Sequence, residues 1–154
     1  MDLILWRHAE AQQGIPDFAR VLTPRGHTQA SAIAEWLRTR LPTNTTIWVS
    51  PATRAQQTAY ALDRPFSTET RLQPSCSLPQ LIDLVAEALP RHTPLLVVGH
   101  EPYISGAAAH WLGGDPDRCA TETAGVWWLR WSEATTDEGT AVLHAEIAPS
   151  TLTA

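Results

Sequence analysis

The sequence predicts an α/β fold: a three-layer α/β/α domain whose sheet of about six strands is mostly parallel, with an antiparallel C-terminal edge. Short apolar runs, typical of strands buried on both faces, alternate along the chain with segments whose apolar residues recur at helical spacing. The last two predicted strands follow each other without a helix between them, which is typical of an antiparallel pair. A chain of 154 residues has the length of one domain, which we place over residues 1–154.

Apolar runs bounded by turn residues mark the predicted strands. The third run is more polar than the others, and the final two are expected to be joined by a turn near Asp137-Glu138-Gly139. The predicted strands are Leu3–Trp6, Thr45–Ser50, Pro65–Leu72, Leu95–Gly99, Gly125–Trp131 and Ala141–Ile147.

Helix starts and stops separate these strands. Thr23-Pro24 combines a capping threonine with a proline at the first helical position, and Pro42 is expected to stop the helix that begins there. A later helix begins at Glu101-Pro102 and closes at Gly113-Gly114. The buried stripes of the first and third predicted helices are Ala30, Ile33, Ala34, Leu37 and Leu41, and Leu78, Leu81, Ile82, Val85 and Leu89.

Three elements that are distant in sequence are predicted to meet at one edge of the sheet. The first and fourth strands end in Arg7-His8 and His100, and ligands of open α/β sheets bind beyond the carboxyl ends of the strands. Ser50-Pro51 repeats the helix-start signal, which predicts a helix to about residue 62 with Arg54 on its first turn. Two arginines, two imidazoles and a helix N-terminus suit a phosphoryl group.

The composition argues against several other classes of function. A formal net charge of −5 disfavours a nucleic-acid or anionic-membrane surface, so a phosphate site must be a local concentration of cations. Cys76 and Cys119 form no CxxC pair and are interpreted as reduced structural thiols. No HExxH-type spacing indicates a metal site, and no apolar segment has the length of a signal peptide or membrane span, so we expect a cytoplasmic protein.

Four motifs, in this order, resemble the histidine phosphatase superfamily, and above all its short SixA-like branch of phosphohistidine phosphatases. The resemblance covers nearly the whole chain and implies a phosphoglycerate mutase-like fold and a phosphatase that needs neither a metal nor another cofactor. The motifs are Arg7-His8-Ala9-Glu10, Leu22-Thr23-Pro24-Arg25-Gly26, Ser50-Pro51-Ala52-Thr53-Arg54-Ala55-Gln56-Gln57-Thr58 and Gly99-His100-Glu101-Pro102.

The resemblance also implies a role for individual residues. His8 matches the nucleophile, which attacks phosphorus and forms a phosphohistidine intermediate. Arg7 and Arg54 match the arginines that bind the phosphoryl oxygens, and His100 matches the second pocket histidine, which donates a hydrogen bond or a proton. Arg20 resembles a further phosphate-facing arginine of this branch.

Two glutamates and the general acid are less well defined. Glu10 and Glu101 are candidates to contact the substrate or to act as acids, but each equally suits orienting an arginine or capping a helix. Larger members of the superfamily carry an acid where this chain has Gln73–Ser77, which contains no carboxylate. An alkoxide needs a positioned acid to leave, whereas phosphohistidine releases a neutral imidazole, whose conjugate acid has a pKa of about 6.5. This difference predicts a preference for phosphohistidine or aryl phosphates over alkyl phosphates.

Several functions therefore stay open at this point. The first is a phosphatase that acts on phosphohistidine in signalling proteins, and the alternatives are a small-molecule phosphomonoesterase and a non-catalytic phosphate-binding module. A phosphorylated substrate is the expected partner in each case, without nucleic acid or membrane. The tryptophans are expected to lie in the core, with one qualification. Trp127 and Trp128 are adjacent on a predicted strand and must point to opposite faces, which makes one of them a candidate for exposure or for contact with a partner.

Overall fold

The computed structural model describes residues 1–88, 92–131 and 140–152, and these residues form a six-stranded mixed sheet between two layers of helices. The predicted fold class is confirmed. The strands are β1 (Asp2–Arg7), β2 (Thr46–Val49), β3 (Ser67–Thr68), β4 (Leu95–Gly99), β5 (Val126–Arg130) and β6 (Val142–Ile147). The helices are α1 (Pro24–Arg38), α2 (Thr53–Tyr60), α3 (Leu78–Ala88), α4 (Tyr103–Leu112) and the short α5 (Pro149–Leu152).

The sheet has the strand order β3-β2-β4-β1-β5-β6. Neighbours from β3 to β1 are parallel, whereas β5 is antiparallel to both β1 and β6. The C-terminal pair therefore forms the antiparallel edge that the sequence predicts. The turn expected near Asp137-Glu138-Gly139 and the position of Leu89 lie outside the described residues.

Strand β1 is an apolar run because both of its faces are covered. Leu3 and Leu5 pack into the cluster that contains α3 and α4, whereas Ile4 and Trp6 pack against α1 and α2. All four side chains are fully buried. Burial of each such side chain favours folding by roughly 1.5–3 kcal/mol. Because its two faces belong to different clusters, β1 lies at the centre of both cores.

Helix α1 starts as predicted but ends earlier. Thr23 caps it by accepting a hydrogen bond from the Gly26 amide at 2.9 Å, and proline follows at the first position. The helix ends at Arg38 rather than at Pro42, because the chain tightens there into a turn in which the amides of residues 40 and 41 both bond to the Leu37 carbonyl, at 2.9 and 2.8 Å. The predicted apolar stripe is buried throughout.

Two further boundaries differ from the prediction. The third strand is reduced to Ser67–Thr68, and the rest of the predicted run forms a 3₁₀ turn at Thr70–Leu72. Helix α2 begins at Thr53 with Ala52 as its capping residue, so the Ser50 side chain is not the cap of this helix. Ser50 instead has a contact in the candidate site, as described below.

Trp127 and Trp128 both lie in the core, so neither is the exposed side chain that the sequence left open for this pair. Trp127 packs in the α3–α4 layer and its indole N–H donates to Thr121 Oγ1 at 2.8 Å, while Trp128 packs in the α1–α2 layer and donates to Asp2 at 3.1 Å. Both are buried because β5 lies inside the sheet, between β1 and β6, with helices over both faces.

The parallel register brings three strand ends together. Arg7 of β1 pairs with Gly99 of β4, so His8 and His100 follow at the same level of neighbouring strands. The His8 amide donates to the Gly99 carbonyl at 2.9 Å, and the amide of Ser50, after β2, donates to the carbonyl of Val98 at 3.0 Å. Within the described ranges, no helix has the length and hydrophobicity that crossing a membrane requires.

Candidate active site

His8 sits where the backbone is tied to three other segments. Besides the bond from its amide to β4, its carbonyl accepts from the Ala124 amide at 3.0 Å, and the following amide, that of Ala9, donates to Thr58 Oγ1 at 2.9 Å. Thr58 is fully buried on α2, so the end of β1 is anchored to that helix as well. These bonds fix the backbone that carries the His8 imidazole.

The ring of His8 has one nitrogen engaged. Its Nδ1 lies 2.7 Å from the carbonyl oxygen of Ala9, which can only accept, so we assign the proton of the neutral ring to Nδ1. Nε2 is then the nitrogen with the free lone pair. Burial lowers the pKa of His8 to about 4, and the positive charges of Arg54 and Arg7 act in the same direction, although the bond to Ala9 opposes them. The ring is therefore neutral at pH 7.

His100 lies beside His8, with the ring centroids 5.1 Å apart and the planes at 55°. Its Nε2 is 2.7 Å from Ser50 Oγ, and its Nδ1 is buried without a hydrogen-bonding partner among the described residues. Burial lowers its pKa to about 3, and the proximity of His8 and the positive charge of Arg54 act in the same direction. Tyr103, on the first turn of α4, packs edge-on against this ring at 6.0 Å and donates its hydroxyl to the Leu72 carbonyl at 2.6 Å.

Two buried arginines flank the imidazoles. Arg54, on the first turn of α2, has only 4% of its surface exposed, and its Nη1 and Nη2 donate to the carbonyl and the carboxylate of Asp17 at 2.9 and 3.1 Å. Arg7 donates from Nη1 to the Thr121 carbonyl at 2.6 Å. Burial lowers the pKa of Arg7, and the nearby charge of Glu101 partly offsets this. The guanidinium group nonetheless stays cationic in proteins.

The unpaired polar atoms of the described residues converge on this cluster. Three buried side-chain nitrogens have no hydrogen-bonding partner there: Arg7 Nε, Arg54 Nε and His100 Nδ1. A buried donor without a partner costs roughly 1–3 kcal/mol, so such atoms are normally satisfied. A ligand with several acceptor oxygens would satisfy them, which is the chemistry of a phosphoryl group.

The other predicted site residues are placed less centrally. Arg20 donates to the Gln12 carbonyl at 2.7 Å and pairs with Asp17 at 3.0 Å, and its charge reaches both imidazoles. Glu101 lies just before α4 and accepts from the Ser105 amide, in the first turn of that helix, at 2.9 Å.

Glu10 contacts the start of α1 instead of the histidines. Its carboxylate accepts from Thr23 Oγ1 at 2.9 Å and pairs with Arg25 at 3.1 Å. The structure therefore brings Arg7, His8, Arg54 and His100 together, whereas the Glu10 carboxylate contacts Thr23 and Arg25 at the start of α1. This geometry corresponds to the alternative in which the glutamate orients an arginine and supports a helix start.

Sequence reasoning missed four residues that contact this cluster: Asp17, Ser50, Tyr103 and Thr121. Ser50 carried a signal, because it lies directly before Pro51 at the end of a strand, but that signal also fits a helix cap. Asp17 and Thr121 lie in loops without a motif, so no pattern in a single sequence separates them from other polar loop residues. In the parts of the chain that the structure describes, no group of three or more histidine, cysteine, aspartate or glutamate side chains is arranged to hold a metal ion.

Comparisons with known proteins find a matching family and related sequences. Residues 3–76 match the sequence profile of the histidine phosphatase superfamily (branch 1). An uncharacterized protein of Mycobacterium tuberculosis is 38% identical over 106 residues, which are 66% of this chain and 66% of that protein. An uncharacterized protein of Mycobacterium leprae is 31% identical over 127 residues, which are 75% and 76% of the two chains. The aligned region thus spans slightly less than two thirds of the first relative.

Solved structures extend the likeness to the whole fold. A protein assigned as the phosphohistidine phosphatase SixA of Nakamurella multipartitia superimposes with a TM-score of 0.78 at 28% identity, covering 96% of this chain and 95% of that one. The protein histidine phosphatase SixA complexed with tungstate superimposes with a TM-score of 0.81 at 21% identity, covering 99% of both chains. At 21% identity, the likeness to the second structure supports a shared fold and nothing more.

Proposed function

The chain belongs to the histidine phosphatase superfamily, in its SixA-like branch, and on that basis we propose that it is a phosphatase that works through a covalent phosphohistidine on His8. The observation that carries this proposal is the hydrogen bond from His8 Nδ1 to the Ala9 carbonyl at 2.7 Å. It commits the proton to Nδ1 and leaves the Nε2 lone pair available in a ring that is neutral at pH 7. A site that only binds phosphate would have no need of such a nucleophile.

In the first step, Nε2 of His8 attacks phosphorus. A bond forms between Nε2 and phosphorus while the bond from phosphorus to the leaving group breaks, and the electron pair of that bond departs with the leaving group. Arg7 and Arg54 each have a free buried Nε–H, and these donors bind the phosphoryl oxygens and offset the charge that gathers there.

His100 serves as a hydrogen-bond donor to the phosphoryl group. Ser50 Oγ accepts from the Ala52 amide at 3.2 Å, so its hydroxyl hydrogen is free to be donated to His100 Nε2 at 2.7 Å. With Nε2 accepting, the neutral His100 ring carries its proton on Nδ1, the atom that lacks a partner. Ser50 thus sets the tautomer of His100 as the Ala9 carbonyl sets that of His8.

In the second step, water attacks the phosphorus of the phosphorylated His8. The bond from phosphorus to Nε2 breaks, and its electron pair returns to Nε2, while the phosphate product takes up the hydroxyl group of the water. No step calls for a metal ion, so we expect the rate to be unchanged by a chelator. The nucleophile returns to its starting protonation state once the remaining water proton leaves to solvent.

We further propose phosphohistidine in proteins as the substrate. The segment from Gln73 to Ser77 offers no carboxylate as a general acid, and the carboxylate of Glu101, which lies near Arg7, already accepts from the Ser105 amide. A protonated phosphoimidazole needs no such acid because it leaves as neutral imidazole. The similarity to the Nakamurella protein, which is assigned as a phosphohistidine phosphatase, agrees with this substrate class.

Relative rates on three substrates test this proposal. We expect kcat/KM to be highest for a phosphohistidine protein or peptide, lower for an aryl phosphate and lowest for an alkyl phosphate. His8→Ala should abolish all three activities, and His27→Ala, at an exposed histidine outside the cluster, is the matched control. Rates on alkyl phosphates that equal or exceed the others would contradict the substrate assignment and favour a small-molecule phosphomonoesterase.

A further inference from the structure

We propose that the Asp17 carboxylate pairs with Arg54 and Arg20 in the resting enzyme, and that the incoming phosphoryl group displaces it from Arg54. Asp17 is thereby a specificity-determining residue, because a ligand must bind these arginines more strongly than a carboxylate does. The inference rests on the proposed function, since it takes the cluster of Arg7, His8, Arg54 and His100 to be the phosphoryl site.

The contacts of Asp17 are those expected of an anion in this site. One carboxylate oxygen lies 3.1 Å from Arg54 Nη2 and the other lies 3.0 Å from Arg20 Nη1. Within the described residues, Asp17 is the carboxylate that forms an ion pair with Arg54. Its negative charge also acts on His100, where it partly opposes the lowering of the pKa by burial. Asp17 therefore lies within the electrostatic field of the pocket.

The exposure of the Asp17 side chain allows its carboxylate to move. Arg54 itself is nearly buried, but the Asp17 side chain is 58% exposed on a 3₁₀ turn over Asp17–Ala19. The Asp17 carbonyl separately accepts from Arg54 Nη1 at 2.9 Å, so the backbone of the turn can stay attached to the arginine. Rotation of the side chain alone would free Nη2 for a phosphoryl oxygen.

Charge decides which ligands complete the exchange. Arg20 and Arg54 hold the pKa of Asp17 below its usual range, so the resting occupant is a carboxylate with one negative charge. A phosphoryl group carries up to about two negative charges near pH 7 and three acceptor oxygens. It can also reach the free Nε–H groups of Arg7 and Arg54. A monoanionic carboxylate offers no such advantage over Asp17.

A purely structural role for Asp17 predicts the opposite effect of its removal. If Asp17 only holds Arg54 and Arg20 in position, its loss would weaken the binding of phosphate. If it competes with phosphate, its loss would strengthen that binding. The sign of the change in affinity therefore separates the two roles.

The experiment measures the inhibition constant of inorganic phosphate, with an aryl phosphate as substrate, for the wild type and for Asp17→Asn. Asp83→Asn is the matched control, because Asp83 is an exposed aspartate on α3 and the variant loses the same charge. Since exposed ion pairs are weak, we expect phosphate to inhibit Asp17→Asn roughly threefold to tenfold more tightly than the wild type, and Asp83→Asn about equally to it. Asp17→Ala should change in the same direction.

The possible outcomes distinguish failure of this inference from failure of the proposed phosphatase function. A wild type that turns over the substrate, together with Asp17 variants that bind phosphate equally well or more weakly, would overturn the competition and leave the phosphatase intact. A wild type that neither hydrolyses the substrate nor binds phosphate would overturn the proposed function and the inference with it. If phosphate inhibits Asp83→Asn more tightly by the same factor, the change in net charge alone explains the tighter inhibition. That result would also overturn the role of Asp17.

Discussion

Lowering the pH from 7 to 5 should destabilise this protein through its two neighbouring pocket histidines. In the folded chain the pKa values of His8 and His100 are lowered to about 4 and about 3, mainly by burial. In the unfolded chain both take up a proton near pH 6.5. The unfolded state therefore binds more protons between these values. The stability that the neutral imidazoles contribute is complete above pH 6.5 and is lost as the pH falls toward 4 and 3.

The size of the loss follows from the same pKa values. One pKa unit corresponds to about 1.36 kcal/mol, and pH 5 lies about 1.5 units below the ordinary histidine pKa. Keeping one imidazole neutral at pH 5 therefore lowers the free energy of unfolding by about 2 kcal/mol. This is a large part of the 5–15 kcal/mol that is typical of a small domain. We therefore expect a marked drop in stability well above the pH at which carboxylates titrate.

Urea denaturation of the wild type and His100→Asn at pH 7, 6 and 5 measures this effect. The wild type should lose stability steeply over this range, and the variant should lose about 2 kcal/mol less between pH 7 and 5. Carboxylates contribute equally to both proteins and cancel in the difference. His27→Asn, at an exposed histidine, serves as the control and should follow the wild type. Identical pH dependence of the wild type and His100→Asn would refute the reasoning.

Two further substitutions test how the pocket is held together. Gly99→Ala would place a Cβ atom 2.1 Å from the hydroxyl oxygen of Tyr103, so we expect urea denaturation to show a destabilisation of roughly 3 kcal/mol. Gly114→Ala is the control and should be nearly neutral, because nothing lies within 4 Å of its new Cβ atom. Ser50→Ala removes the hydrogen-bonding partner of His100 Nε2 and should lower kcat by roughly tenfold, which corresponds to the loss of about one hydrogen bond. The far-ultraviolet circular dichroism spectrum should change little, because the fold is retained. An unchanged kcat would contradict the role assigned to Ser50.

The sheet and the four central residues were accessible from the sequence because each depends on a local pattern. Apolar runs identify β1 and β4, and parallel pairing then brings His8 and His100 to the same level without further information. Arg54 follows from the start of α2, which lies within a few residues of its predicted position. These inferences need only periodicity and the rule that parallel strands end at one edge.

The supporting contacts were not accessible because they join distant loops. The carbonyl of Thr121 binds Arg7 across 114 positions, and Asp17 reaches Arg54 across 37. A backbone carbonyl acceptor leaves no trace in the residue type, so Thr121 could not be identified from its side chain. Serine before proline predicts a helix cap at Ser50, whereas its bond to His100 depends on the tertiary structure.

The early end of α1 has a similar origin. Proline is a reliable stop, but the helix ends before it, in a turn whose amides bond to the Leu37 carbonyl. The burial of both Trp127 and Trp128 followed from the position of β5 inside the sheet, which strand order along the chain does not reveal. In each case a long-range arrangement overrode a correct local signal.

Detection of a phosphorylated enzyme tests the central claim most directly. The wild type is mixed with a substrate that carries radioactive phosphate and is quenched after milliseconds in alkaline denaturant, in which phosphohistidine survives. We predict a protein-bound label that is lost in acid, that is present in His27→Ala and that is absent from a folded His8→Ala variant. Label of wild-type intensity in folded His8→Ala, or turnover of the substrate by a wild type that never becomes labelled, would contradict the assignment of His8 as the nucleophile.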